Sequence, residues 1–195
     1  MLNLPNILTF VRILVIPVFV VVFYLPAHWG HFAAAIIFTL ACITDWLDGY
    51  LARSLKLSTR FGAFLDPVAD KMMVATALVM IVAEQQFQHP TSTLTLPAFI
   101  LTIPAAIIVS REIIVSALRE WMAEIGKNTS VVVTGLGKIK TTVQMIALIV
   151  LIYCGHDTHV SIIVFGYILL YVAAILTVWS MMIYLKAAWP EFRTQ

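Results

Sequence analysis

Four aspartates lie within 26 positions of one another in an otherwise apolar stretch: Asp45, Asp48, Asp66 and Asp70. Asp45 and Asp48 are spaced i, i+3, and Asp66 and Asp70 are spaced i, i+4. On helices each pair shares one face. A carboxylate at membrane depth costs about 2.5–3.5 kcal/mol, and four together repel one another. Hard divalent cations such as Mg²⁺ or Mn²⁺ resolve both problems, because they favour oxygen ligands. Carboxylates from two facing helices can hold one or two such ions, and paired metals clamp the attacking and leaving oxygens of phosphoryl chemistry. The plainer alternative is ion pairing with Arg53, Arg60 and Lys71. Gly49 directly after Asp48, and Gly62 four residues before Asp66, leave room for a ligand against the backbone.

The rest of the chain must position these carboxylates. Of 195 residues, 62% are apolar and 11% charged, against roughly 45–50% and 25% in soluble domains. That composition excludes a typical soluble enzyme, a disordered protein and a nucleic-acid binder. It allows roughly six spans at about 20 residues each. The expected architecture is all-α and polytopic, a single membrane domain over 1–195, with helices near 7–25, 31–53, 66–86, 97–120, 136–154 and 160–186. The first segment lacks a basic n-region and a cleavage site, so it reads as a retained span.

With six spans, all twelve Lys and Arg residues fall at the termini, in the second and fourth loops, or on adjacent helix ends. The positive-inside rule then places both termini in the cytoplasm, with Trp189 as an interfacial anchor. The other loops hold His28, His31, His89, His156 and His159, which read as polar loop residues. Cys42 and Cys154 read as small hydrophobes. The second helix runs inward and the third outward. With a short Ser54–Leu65 loop between them, the two aspartate pairs should meet at similar depth in the cytoplasmic half of the membrane.

The segment Asp45-x-x-Asp48-Gly49-x-x-Ala52-Arg53, eight residues, Gly62-x-x-x-Asp66-x-x-x-Asp70 resembles the signature of the CDP-alcohol phosphatidyltransferases, with every fixed position filled. The resemblance implies transfer of a phosphatidyl group from CDP-diacylglycerol to an alcohol, with release of CMP. It implies that Asp45, Asp48 and Asp66 ligate a first Mg²⁺ or Mn²⁺, and that Asp45, Asp66 and Asp70 serve a second. It makes Asp70 the candidate catalytic base, and it gives Gly49, Ala52, Arg53, Thr59 and Gly62 to the CDP-diacylglycerol site. The segment holds no well-placed nucleophilic Ser, Cys or His, which favours direct attack by the alcohol.

Arg111, Lys138 and Lys140, with Thr141, lie at the inner ends of helices four and five and make a candidate anion pocket, which suits a phosphate-bearing acceptor. Ordinary helix-end pairing, Arg111 with Glu112 and Arg119 with Glu120, is the plainer reading. Asn6, Thr9 and Arg12 share roughly one face of helix one. They are candidates for contact with the nucleotide or its phosphates; an N-terminal cap by Asn6 is the alternative. The segments 3–12, 110–121 and 137–144 resemble those bacterial members of the family that use sn-glycerol 3-phosphate. That resemblance implies glycerol 3-phosphate as the substrate held by Arg111, Lys138, Lys140 and Thr141, a homodimer, and a place in the bacterial inner membrane with the site facing the cytoplasm. A sister enzyme using inositol phosphate, serine or phosphatidylglycerol, and a divalent-metal transporter, are the rival readings.

Overall fold

In a bilayer no water is present to satisfy backbone N–H and C=O groups, so long apolar segments fold as helices that satisfy their own. The computed structural model describes residues 4–54, 60–84, 97, 99–125, 135–155 and 158–192. Among them are six α-helices and no strand: α1 (Leu4–Phe23), α2 (Gly30–Ser54), α3 (Arg60–Ala83), α4 (Phe99–Glu124), α5 (Gly135–Tyr153) and α6 (Val160–Phe192). The all-α expectation holds. α3 begins at Arg60 rather than at 66, so the link after α2 is shorter than Ser54–Leu65. The residue before a proline is biased against helix, which is why Asp66-Pro67 reads as a boundary. Pro67 nevertheless lies inside α3, as Pro17 and Pro104 lie inside α1 and α4, a placement that membrane helices tolerate.

Among the described residues, four helices are long and apolar enough to cross a membrane, through Asn6–Phe23, Gly30–Gly49, Phe99–Glu124 and Val160–Lys186. α5 adds a shorter apolar stretch, Ile139–Tyr153. α3 carries Asp66, Asp70 and Lys71 in its first half. α6, at 33 residues, is about 50 Å long. It therefore outruns a hydrocarbon core of about 30 Å, and its last turns carry the exposed Trp189.

The chain divides into two compact units. One comprises Met1–Thr95 with Ile149–His159, the other Leu96–Leu148 with Val160–Gln195. In the first, α1 packs closely against both α2 and α3. Phe19 and Phe38 are fully buried, with ring centroids 5.8 Å apart. Ala34, Ala41, Ala69 and Ala77 are also buried, and such small side chains let membrane helices approach. The α1–α2 turn is tight: a Cβ at Gly30 would come within 2.9 Å of the Leu25 carbonyl oxygen. Large apolar side chains such as Trp46, Phe64 and Val21 are exposed, as a lipid-facing surface requires.

His31 belongs to this unit and is more than a loop residue. It sits in the first turn of α2, with Nδ1 3.2 Å from the Ile152 carbonyl oxygen and Nε2 3.3 Å from Glu84 Oε1. Its ring stands edge-on to Phe23 at 5.1 Å. It ties the start of α2 to the ends of α1 and α5 and to Glu84, directly after α3. Cys42 and Cys154 are free thiols.

In the second unit α4 packs on α6, and Tyr171 Oη donates to the Ile100 carbonyl at 2.8 Å. A groove of 680 Å³ runs between these helices, lined by apolar residues such as Ile103, Ile175 and Trp179, with Lys186 at one end.

Candidate active site

The four aspartates converge, but around a cation that α1 supplies. Arg12 is 3% exposed. Its Nη1 donates to Asp45 Oδ1 at 2.7 Å and to Asp70 Oδ1 at 2.5 Å. Its Nη2 donates to Asp48 Oδ2. One turn earlier, Thr9 Oγ1 donates to Asp66 Oδ1 at 2.5 Å. The i, i+3, i+6 spacing of Asn6, Thr9 and Arg12 does place all three on one buried face. That face meets the aspartates, a pairing the sequence did not reveal. α1 starts at Leu4, so Asn6 lies inside the first turn rather than capping it.

The carboxylates differ in access. The Asp48 side chain is 5% exposed, whereas those of Asp45 and Asp70 are 40% exposed. Asp48 anchors the cluster, and Asp45 and Asp70 form its open rim. The plainer alternative paired the aspartates with Arg53, Arg60 and Lys71; for three of the four, Arg12 is the cationic partner, and the side chains of Arg53 and Arg60 lie outside the described set. One guanidinium against four carboxylates leaves three formal negative charges uncompensated by it.

Among the described residues, no three His, Cys, Asp or Glu side chains form a closed metal cage; the guanidinium stands where the oxygens converge. The donor set nevertheless fits a hard divalent ion. It is all oxygen, it is in charge excess, and Asp45 Oδ1 and Asp70 Oδ1 already share a single cationic atom.

The remaining candidates for CDP-diacylglycerol fall unevenly. Gly49 is half-buried on α2 and Gly62 buried on α3. Thr59 lies outside the described residues, as do the side chains of Ala52 and Arg53.

The acceptor candidates belong to the second unit. Arg111 Nη1 and Lys140 Nζ both donate to Glu112 Oε1, at 2.9 and 2.8 Å. Arg111 Nη2 donates to Ser180 Oγ at 3.1 Å, and Arg111 Cζ lies 5.8 Å from the Tyr184 ring centroid. Arg111 and Lys140 are thus brought together. Lys140 is 2% exposed and tied to Glu112, whereas Thr141 is exposed; the Lys138 side chain lies outside the described set. Sequence reasoning saw Glu112 only as a neighbour of Arg111 and missed Ser180 and Tyr184. Their one signal is a pair of polar residues at i, i+4 in an apolar helix.

The model of the CDP-alcohol phosphatidyltransferase family matches residues 2–179. The chain belongs to that family. It is 54% identical over 187 residues to the CDP-diacylglycerol–glycerol-3-phosphate 3-phosphatidyltransferase of Sodalis glossinidius (strain morsitans), covering 96% of this chain and 95% of the relative. It is 50% identical over 193 residues to the protein of the same name from Escherichia coli (strain K12), covering 99% and 98%. In this CDP-alcohol phosphatidyltransferase the signature aspartates are the four that gather around Arg12 and Thr9.

Proposed function

We propose that this chain transfers the phosphatidyl group of CDP-diacylglycerol to sn-glycerol 3-phosphate, giving phosphatidylglycerophosphate and CMP. The near full-length similarity to relatives named for that transfer carries the reading. The aspartate cluster supports it chemically.

Asp45, Asp48, Asp66 and Asp70 would hold Mg²⁺ or Mn²⁺, two ions per site. When bound, the ions supply positive charge that polarises the pyrophosphate and orients it for in-line displacement. Gly49, Ala52, Arg53, Thr59 and Gly62, with Asn6 and Thr9, shape the CDP-diacylglycerol site. Arg111, Lys138, Lys140 and Thr141 take the phosphate of the acceptor. Asp70, on the open rim, accepts the proton of the acceptor hydroxyl as its oxygen attacks the phosphorus bearing diacylglycerol. The new P–O bond forms as the bond to CMP breaks, and no covalent enzyme intermediate is needed. Reach comes before pKa for such a base, and the Asp70 side chain is 40% exposed where that of Asp48 is 5%.

The same reading places six spans in a bacterial inner membrane as one domain over 1–195. Both termini and the site face the cytoplasm, and the chain works as a homodimer. Glycerol 3-phosphate arrives from water and the lipid substrate from the bilayer, between helices. The test is CMP release by purified protein with a panel of acceptors, with and without Mg²⁺ or Mn²⁺. Release that needs both glycerol 3-phosphate and the metal is expected. Preference for serine, inositol phosphate or phosphatidylglycerol would transfer the reading to a sister enzyme. Divalent-ion flux in vesicles without CMP release would favour a transporter.

A further inference from the structure

Two buried cations held side by side repel each other, and each loses hydration. In the second unit one carboxylate oxygen answers both: Glu112 Oε1 accepts from Arg111 Nη1 and Lys140 Nζ. The two cationic nitrogens are therefore held within reach of a single atom. α6 completes the cradle. Ser180 Oγ spends its own proton on the Thr177 carbonyl at 2.9 Å, which leaves its lone pair to accept from Arg111 Nη2. The Tyr184 ring covers the guanidinium from another side.

The cradle does not exhaust its donors. A guanidinium has five N–H groups and an ammonium three. Arg111 commits one hydrogen to Glu112 and one to Ser180, and Lys140 commits one to Glu112. Arg111 Nε is buried with no partner among the described residues. Two cations against one anion leave a net charge of +1. A fixed fork with spare donors suits a phosphate monoester.

We infer that Glu112 is a positioning residue for the acceptor's phosphate, acting through Arg111 and Lys140, with Ser180 as its helper from α6. The inference rests on the acceptor pocket proposed above. Glu112 does not touch the substrate. It fixes where the two cations stand, so its loss acts on acceptor binding and leaves the chemistry at the aspartates intact.

The test is steady-state CMP release by the purified full chain with Mg²⁺, varying each substrate in turn. Glu112→Gln is expected to raise KM for glycerol 3-phosphate about tenfold. Both kcat and KM for CDP-diacylglycerol should stay within about twofold, as removal of uniform acceptor binding predicts. Glu112→Asp should restore most of the loss. Ser180→Ala, which changes no charge, should raise the same KM by a few-fold. An unchanged or lower acceptor KM in Glu112→Gln overturns the inference. So does a parallel loss of both substrates together with the unfolding temperature. If Glu112→Gln does not fold, an unchanged acceptor KM in Ser180→Ala overturns it. Wild-type protein that releases no CMP with glycerol 3-phosphate instead defeats the proposed function, whatever Glu112 does.

Discussion

Arg12→Gln is the most exacting test of the aspartate cluster. The substitution removes the guanidinium and leaves a polar side chain that cannot reach three carboxylates. Asp48 decides the magnitude, because its side chain is 5% exposed and Arg12 is its charge partner. Breaking a buried pair from one side costs about 3–5 kcal/mol. The bonds to Asp45 and Asp70 add little, since those side chains are 40% exposed and screened pairs are worth about 0–1 kcal/mol. For a chain of this length 1 kcal/mol moves Tm by about 2–4 °C, so a fall of roughly 10 °C is expected. The assay is thermal unfolding of the purified protein in detergent with EDTA, followed by intrinsic tryptophan fluorescence. Added Mg²⁺ should raise Tm more in the variant than in wild type, because a divalent ion replaces the charge that was removed. Arg12→Lys should fall between the two, since an ammonium lacks the planar fork. A loss below about 3 °C in EDTA would refute the pairing argument. Equal Mg²⁺ shifts in both proteins would refute the charge-replacement argument.

Asp70→Asn should retain CDP-diacylglycerol binding and lose transfer; wild-type-like CMP release would remove Asp70 as the base. EDTA should abolish CMP release and Mg²⁺ or Mn²⁺ restore it; metal-independent turnover would contradict the carboxylate chemistry. Gly155→Ala should lower stability by about 1–3 kcal/mol, because the new Cβ comes within 3.0 Å of the His31 ring, which Ile152 and Glu84 hold in place. An unchanged unfolding temperature would show that the ring gives way. Lys138→Ala should raise KM for glycerol 3-phosphate more than it weakens CDP-diacylglycerol binding, and an unchanged acceptor KM would return Lys138 to membrane anchoring.

Much of the architecture was legible because hydrocarbon leaves the backbone few choices. Apolar runs of membrane length become helices, and all six expected helices overlap those observed. The i, i+3 and i, i+4 spacings predicted shared faces for the aspartates because helix periodicity is local. Boundaries were harder: Asp66-Pro67 hid the first turn and a half of α3, and α6 continued past Lys186 to Phe192.

Partners distant in the chain were a different matter. Arg12 stands 33, 36 and 58 positions from the aspartates it joins, and His31 stands 121 from Ile152. Apolar helices are nearly interchangeable in pattern, so nothing in the sequence says which packs against which. By itself, the sequence determined an all-α chain of six helices and put each pair of aspartates on one helix face, because both follow from local periodicity and solvation. Only the tertiary structure decided that α1 brings Arg12 into the carboxylates and that Glu112 joins Arg111 to Lys140. Those pairings depend on helix packing, which brings together residues that no local rule connects.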